Sequence, residues 1–191
     1  MILHYRHSLR AKRKQLSADN VMDASLSVAE KIIHLPEFLN SQHIAYYLPH
    51  ENEIDTQLIT EYARDLGKSL YLPIFSGENN LNFYPVNDYT QYKINKWGIA
   101  EPIVSEEFPV FHNQFDLILI PLVAFDMHCN RLGRGAGCYD RYLAFTLEKS
   151  KEDRPALIGL AYEFQKITDI IQEKWDVPMD FIVTERAIYS A

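Results

Sequence analysis

The sequence predicts an α/β protein, a single domain over residues 1–191 with a Rossmann-like three-layer fold and a mostly parallel sheet. Three observations lead there. Short apolar runs of strand length alternate with longer segments of helical character. The runs end at proline or glycine, which punctuate strands and loops. The most apolar run, Phe115–Leu122, leads into a glycine-rich string, Arg131-Leu132-Gly133-Arg134-Gly135-Ala136-Gly137-Cys138-Tyr139-Asp140-Arg141-Tyr142-Leu143, which in turn opens a helical pattern.

The elements follow in order. Residues from about 3 to 16 are rich in Arg, Lys and Leu, contain neither Gly nor Pro, and read as a basic helix whose charges form a solvated face. Ser17 with Asp19 caps a second helix running to about His34. His43–Leu48 is a buried strand ending at Pro49. A helix runs from Asp55 to about Leu66, where Gly67 stops it. Ser69–Leu72 is a second strand, again followed by a proline, Pro73, and Leu81–Tyr84 a shorter one. Segment 86–110 shows little periodicity. After the glycine string come a helix over about 139–149, a strand at 156–161, a short helical piece near 166–172 and a last strand at 181–184.

Composition narrows the function. A chain of 191 residues with 47% hydrophobic and 24% charged residues can bury a sizeable core. The net charge of −7 opposes sequence-independent nucleic-acid binding, which needs a basic face. Two cysteines, Cys129 and Cys138, are too few for a disulfide framework, so a reducing, cytoplasmic setting is expected. No run has signal-peptide character or bilayer-spanning length, so no membrane partner is expected.

In parallel sheets ligands bind beyond the carboxyl ends of the strands, where loops 49–55, 126–138 and 162–165 fall. Gly133, Gly135 and Gly137 match neither the Walker pattern nor the dinucleotide motif, and alone they are equally a tight loop. Arg131 and Arg134 inside the loop, and a helix start behind it, turn the reading toward phosphate. Asp55 and Thr56 read as helix caps, which leaves Glu53 free to accept hydrogen bonds from a ligand. Trp97, beside Gly98, is a candidate wall for a flat heterocycle. Asp140, with the carboxylates of Asp176-Val177-Pro178-Met179-Asp180, could hold Mg²⁺ on phosphate. No spacing of the seven histidines supports a nucleophilic triad.

These motifs together resemble the 5-formyltetrahydrofolate cyclo-ligase family. Gly133–Leu143 is similar to its glycine signature. Arg6 with Gln15-Leu16-Ser17, Tyr47-Leu48-Pro49 through Thr56, Trp97-Gly98-Ile99 with Glu101-Pro102, Gly159–Tyr162 with Gln165, and Trp175–Asp180 with Val183–Glu185 follow the family's order over nearly the whole length. The resemblance implies ATP- and Mg²⁺-dependent closure of 5-formyltetrahydrofolate, possessing a polyglutamate tail or not, to 5,10-methenyltetrahydrofolate, with release of ADP and phosphate.

The same resemblance assigns roles by position. Arg6 and the run Arg131, Leu132, Gly133, Arg134, Gly135, Ala136, Gly137, Cys138 and Tyr139 would bind ATP, with Arg134 and Tyr139 catalytic. Leu48, Glu53, Trp97 and residues 134–138 would bind the folate, and Asp140 and Asp180 the metal. A monomer is expected. Three positions depart from the family pattern: Ile2 and Ala136 stand where lysine is common, and Cys138 stands for tyrosine. The alternative reading is a non-catalytic nucleotide or folate sensor on the same fold.

Overall fold

The structure is a computed structural model, and it describes residues 2–76, 80–104 and 109–191. Three helices come first, α1 (Ile2–Lys14), α2 (Ala18–Ile32) and the short α3 (Pro36–Leu39). Strand β1 (His43–Ala45) and helix α4 (Gln57–Asp65) lead to a hairpin, β2 (Ser69–Ser76) and β3 (Asn80–Val86). A ribbon, β4 (Gln91–Ile94) with β5 (Ala100–Ile103), precedes β6 (Leu117–Pro121). A small hairpin, β7 (Ala124–Phe125) and β8 (Arg131–Leu132), carries the glycine loop into α5 (Cys138–Leu143). Strands β9 (Ala156–Leu160), β10 (Phe181–Val183) and β11 (Ile188–Ser190) close the chain.

Seven strands form the main sheet in the order β11-β10-β9-β6-β1-β2-β3. The five central strands are parallel, and only the edges β3 and β11 are antiparallel. Side chains alternate across β6. Leu117 and Leu119 join the core under α2 and α4, while Ile118 and Ile120 join the core under α5. The three-layer α/β expectation is therefore borne out. From β1 the chain adds β2 on one side and β6 on the other, so the order reverses there. A crevice opens at such a point, beyond the carboxyl ends of β1 and β6.

Local departures have local causes. β2 continues through Pro73, because only Ser69, Leu70 and Tyr71 pair with β1. Beyond that point the β1 side has no ladder for a proline to interrupt. The β4–β5 ribbon was not legible in segment 86–110. Its turn is built by the Asn95 side chain, which accepts from the N–H groups of Trp97 and Ile99. No helix forms over 166–172. Ile167 N–H donates to the Phe125 carbonyl and Ile170 N–H to the Asp126 carboxylate, so these donors serve the β7 hairpin instead. The helix expected to reach residue 149 ends at Leu143 and continues as a 3₁₀ turn, Ala144–Thr146.

Candidate active site

The crevice is a cleft of about 1000 Å³ whose walls come from seven parts of the chain. Tyr47, Leu48, His50 and Glu53 follow β1, Leu72, Pro73 and Phe75 belong to β2, and Pro121 and Leu122 end β6. Trp97, Ile99 and Ala100 come from the ribbon, Ile2, Arg6 and Arg10 from α1, and the whole stretch Arg131–Arg141 from the glycine loop and α5. Segment 170–176 adds Trp175, Glu173 and Asp176. Arg6, Leu48, Glu53, Trp97, Asp140 and residues 131–139 thus line one cleft.

Asp180 does not line it. It stands at the amino end of β10, where Arg154 holds both carboxylate oxygens at 2.7 and 2.8 Å and the Leu157 N–H donates at 2.9 Å. Burial pushes its pKa up, but these donors and the Arg154 and Lys151 charges outweigh that and hold it low. Asp140 lines the cleft, whereas Asp180 is held by Arg154 and is not among its lining residues. Besides Glu53, the described carboxylates that share the cleft with Asp140 are Glu173 and Asp176.

The glycine loop is shaped by backbone and packing. Gly135 has φ 110°, and a Cβ there would lie 3.4 Å from the Arg6 guanidinium. Gly137, at φ 66°, begins α5. Helix α5 has only six residues, so its dipole adds little. The cationic character comes from side chains. Arg131 is buried and pairs with Asp140 Oδ1 at 2.5 Å, and its Nε has no hydrogen-bond partner among the described residues. Arg6 Nε donates to the Gly133 carbonyl at 2.9 Å, and no carboxylate among the described residues pairs with it.

Facing the loop is a polar corner, residues 50–53. Glu53 Oε1 accepts from Arg13 at 3.3 Å and from Arg134 at 2.9 Å, and Oε2 accepts the His50 N–H at 3.1 Å. Glu51 takes a two-toothed hydrogen bond from Arg10 and an ion pair from Lys14 at 2.8 Å. Burial opposes its charge, but Lys14, Arg10 and Arg134 win and hold its pKa at about 2. His50 is kept low and neutral by burial, with the Arg134 charge acting in the same direction and Glu51 and Glu53 opposing.

Tyr139 is buried and its phenol is driven well above its ordinary value by burial and by the Glu53 charge, so it remains a protonated hydroxyl. Burial likewise raises the Cys138 thiol. Trp97 stands half-exposed at the rim, edge-on to Phe75 at 6.0 Å. Sequence reasoning missed Arg10, Arg13, His50, Glu51 and Asn52. The available signal was spacing. Arg6, Arg10 and Arg13 recur at i, i+4 and i+7, which places a cationic stripe on one face of α1 where an apolar one is usual.

A cationic glycine loop facing an apolar wall, with a buried carboxylate between them, defines an α/β protein built to hold an anionic ligand against a flat apolar one. Comparison with known proteins makes that class specific. The model of the 5-formyltetrahydrofolate cyclo-ligase family matches residues 3–185. The chain is 33% identical over 176 residues to the 5-formyltetrahydrofolate cyclo-ligase of Haemophilus influenzae, covering 91% of this chain and 92% of that one. Among solved structures it is similar to the 5,10-methenyltetrahydrofolate synthetase of Aquifex aeolicus, with TM-score 0.81 and 32% identity over 99% of this chain and 92% of that one. It is also similar to the synthetase of Mycoplasma pneumoniae, with TM-score 0.73 and 26% identity over 96% and 98%. The chain belongs to the 5-formyltetrahydrofolate cyclo-ligase family. No described helix is long and apolar enough to cross a membrane.

Proposed function

We propose that this chain, acting as one domain and as a monomer, uses ATP to close 5-formyltetrahydrofolate to 5,10-methenyltetrahydrofolate. One observation carries the reading: a single cleft joins the arginine-bearing glycine loop to the apolar wall of Leu48, Phe75 and Trp97 around buried Glu53. The two free cysteines agree with a cytoplasmic setting.

A formyl oxygen is a poor leaving group. ATP transfers its γ-phosphoryl to that oxygen and releases ADP. The neighbouring anilino nitrogen then attacks the activated carbon, its proton departs, and the oxygen leaves as part of inorganic phosphate. Such chemistry asks for positioning and charge neutralisation and needs no protein nucleophile. Arg6, Arg134 and the loop backbone would hold the phosphates. Glu53 would accept from the pterin amino and ring N–H groups, and Leu48 and Trp97 would face its rings. Tyr139, fixed as a neutral phenol, would donate a hydrogen bond from the first turn of α5.

Asp140, whose Oδ1 is held by Arg131, would offer its other oxygen to a Mg²⁺ that rides on phosphate, since the ion takes one or two carboxylates with phosphate oxygens and water. Asp176 lines the same cleft, and Asp180 is committed to Arg154. Bound there, Mg²⁺ would supply charge neutralisation at the phosphates. The reading is tested by following methenyltetrahydrofolate absorbance on mixing the protein with 5-formyltetrahydrofolate and Mg-ATP. Product dependent on ATP, with one ADP per product, supports it. Binding of both ligands with no product would make the chain a sensor instead.

A further inference from the structure

We propose that Glu51 and Asn52 are positioning residues for the reaction, a clasp that fixes helix α1 so that Arg6 reaches the nucleotide phosphates. The inference rests on the reading of Arg6 as a phosphate contact.

Helix α1 lacks the apolar face that normally docks a helix. Its only buried residue is Arg13. Its attachment is polar, and much of it converges on one corner. Arg10 and Lys14 reach the Glu51 carboxylate at 2.8 Å, and Arg13 Nε donates to the Glu51 carbonyl at 2.9 Å. Asn52 Nδ2 lies 3.2 Å from the Arg13 and Leu16 carbonyls and 3.4 Å from that of Lys14, at the helix C-terminus, where the Arg13 carbonyl also accepts the Leu16 N–H.

Both residues are left-handed, at φ 54° and 57°. Asparagine tolerates that region and glutamate does so poorly. Such strain persists only where the surroundings over-determine it, and it gathers at functional sites. Here the left-handed pair sends one side chain along the face of α1 and the next onto its end. The Tyr162 hydroxyl donates to the Asn52 carbonyl at 3.0 Å and ties the corner to the body.

The arginine stripe is thereby divided. Arg10 and Arg13 are spent on Glu51 and Glu53 as fasteners. Arg6, one turn further along the same face, pairs with no carboxylate among the described residues and touches the loop at Gly133 and Gly135. Its reach is set from the fastened half of the helix.

The test compares wild type with Glu51→Gln, Glu51→Asp, Asn52→Gly, Arg6→Ala and the double variant of Arg6→Ala with Glu51→Gln, measuring KM for Mg-ATP and for 5-formyltetrahydrofolate, kcat, and thermal midpoint. Glu51→Gln is expected to raise the ATP KM about tenfold and to leave the folate KM within about twofold. Glu51→Asp should recover most of the loss. The double variant should be no worse for ATP than Arg6→Ala alone, because the clasp acts through Arg6. Asn52→Gly keeps the left-handed backbone and removes the cap. It should raise the ATP KM about threefold, and it carries the test if Glu51→Gln does not fold.

Losses that multiply in the double variant would overturn the proposal, as would ATP and folate KM rising together in step with a falling thermal midpoint. If Arg6→Ala weakens ATP and both clasp variants leave it unchanged, only the clasp fails. If Arg6→Ala leaves ATP unchanged, the phosphate reading of Arg6 fails first and the clasp with it.

Discussion

Replacing Glu53 by Gln strikes the point where the two halves of the cleft meet. The carboxylate is buried, with both oxygens in use. In Gln the remaining oxygen can stay with Arg13 and Arg134, and the new NH₂ then faces the His50 N–H. One buried donor meets another, a mismatch of about 1–3 kcal/mol. Arg13, 1% exposed, also loses its nearest carboxylate, and Glu51 is then its closest at 3.9 Å. Breaking a buried pair costs about 3–5 kcal/mol, but Arg13 keeps the Glu51 and Leu122 carbonyls and Arg134 is partly in water, so the combined cost is about 2–4 kcal/mol. That lowers the thermal midpoint of a chain this size by about 4–16 °C.

Binding separates the two ligands. The pterin loses one acceptor, so folate affinity measured by calorimetry should fall about 5–150-fold. ATP affinity without folate should be unchanged or a few-fold tighter, because Arg134 is held less firmly away from phosphate. An unaltered midpoint with unaltered folate affinity would refute the role of Glu53 as the hub. Weaker ATP with folate spared would mean that the two halves of the cleft are assigned the wrong way round.

Arg134→Ala is expected to lower kcat by about 10²–10³-fold, as for loss of one preorganised charge donor, and unchanged turnover and ATP affinity would make the loop structural. Asp140→Asn should raise the Mg²⁺ concentration needed for half-maximal rate. Asp180→Asn should instead lower the thermal midpoint through its lost pair with Arg154 and leave the Mg²⁺ requirement unchanged, and the reverse pattern would return Asp180 to the metal. Glu51 is held below its ordinary 4.5, at about 2, so its contribution to stability is whole above pH 4.5 and is lost as pH falls toward 2. Asp180 and His50, both also held low, act in the same direction, so urea midpoints should drop on acidification, less steeply in Glu51→Gln.

The alternation of strands and helices was legible because the central strands are uniformly apolar runs, as in Leu117–Pro121 and Ala156–Leu160. The glycine loop was legible because its glycines and arginines are contiguous. Features made by distant partners were not. Asp180 reads as a free carboxylate until Arg154 is seen beside it. Arg10 and Arg13 read as a solvated face, since the acids that hold them lie about 40 residues on, at 51 and 53. The segment 166–172 has helical composition, but its backbone donors go to Phe125 and Asp126.

In the proposed reaction the formyl oxygen leaves as phosphate after accepting the γ-phosphoryl group of ATP. 5-Formyltetrahydrofolate labelled with ¹⁸O in the formyl group, converted by this protein with unlabelled Mg-ATP, tests it by mass spectrometry of the phosphate released. One labelled oxygen per phosphate is expected, matched to one ADP and one methenyltetrahydrofolate. Label released into water, with unlabelled phosphate, would contradict it.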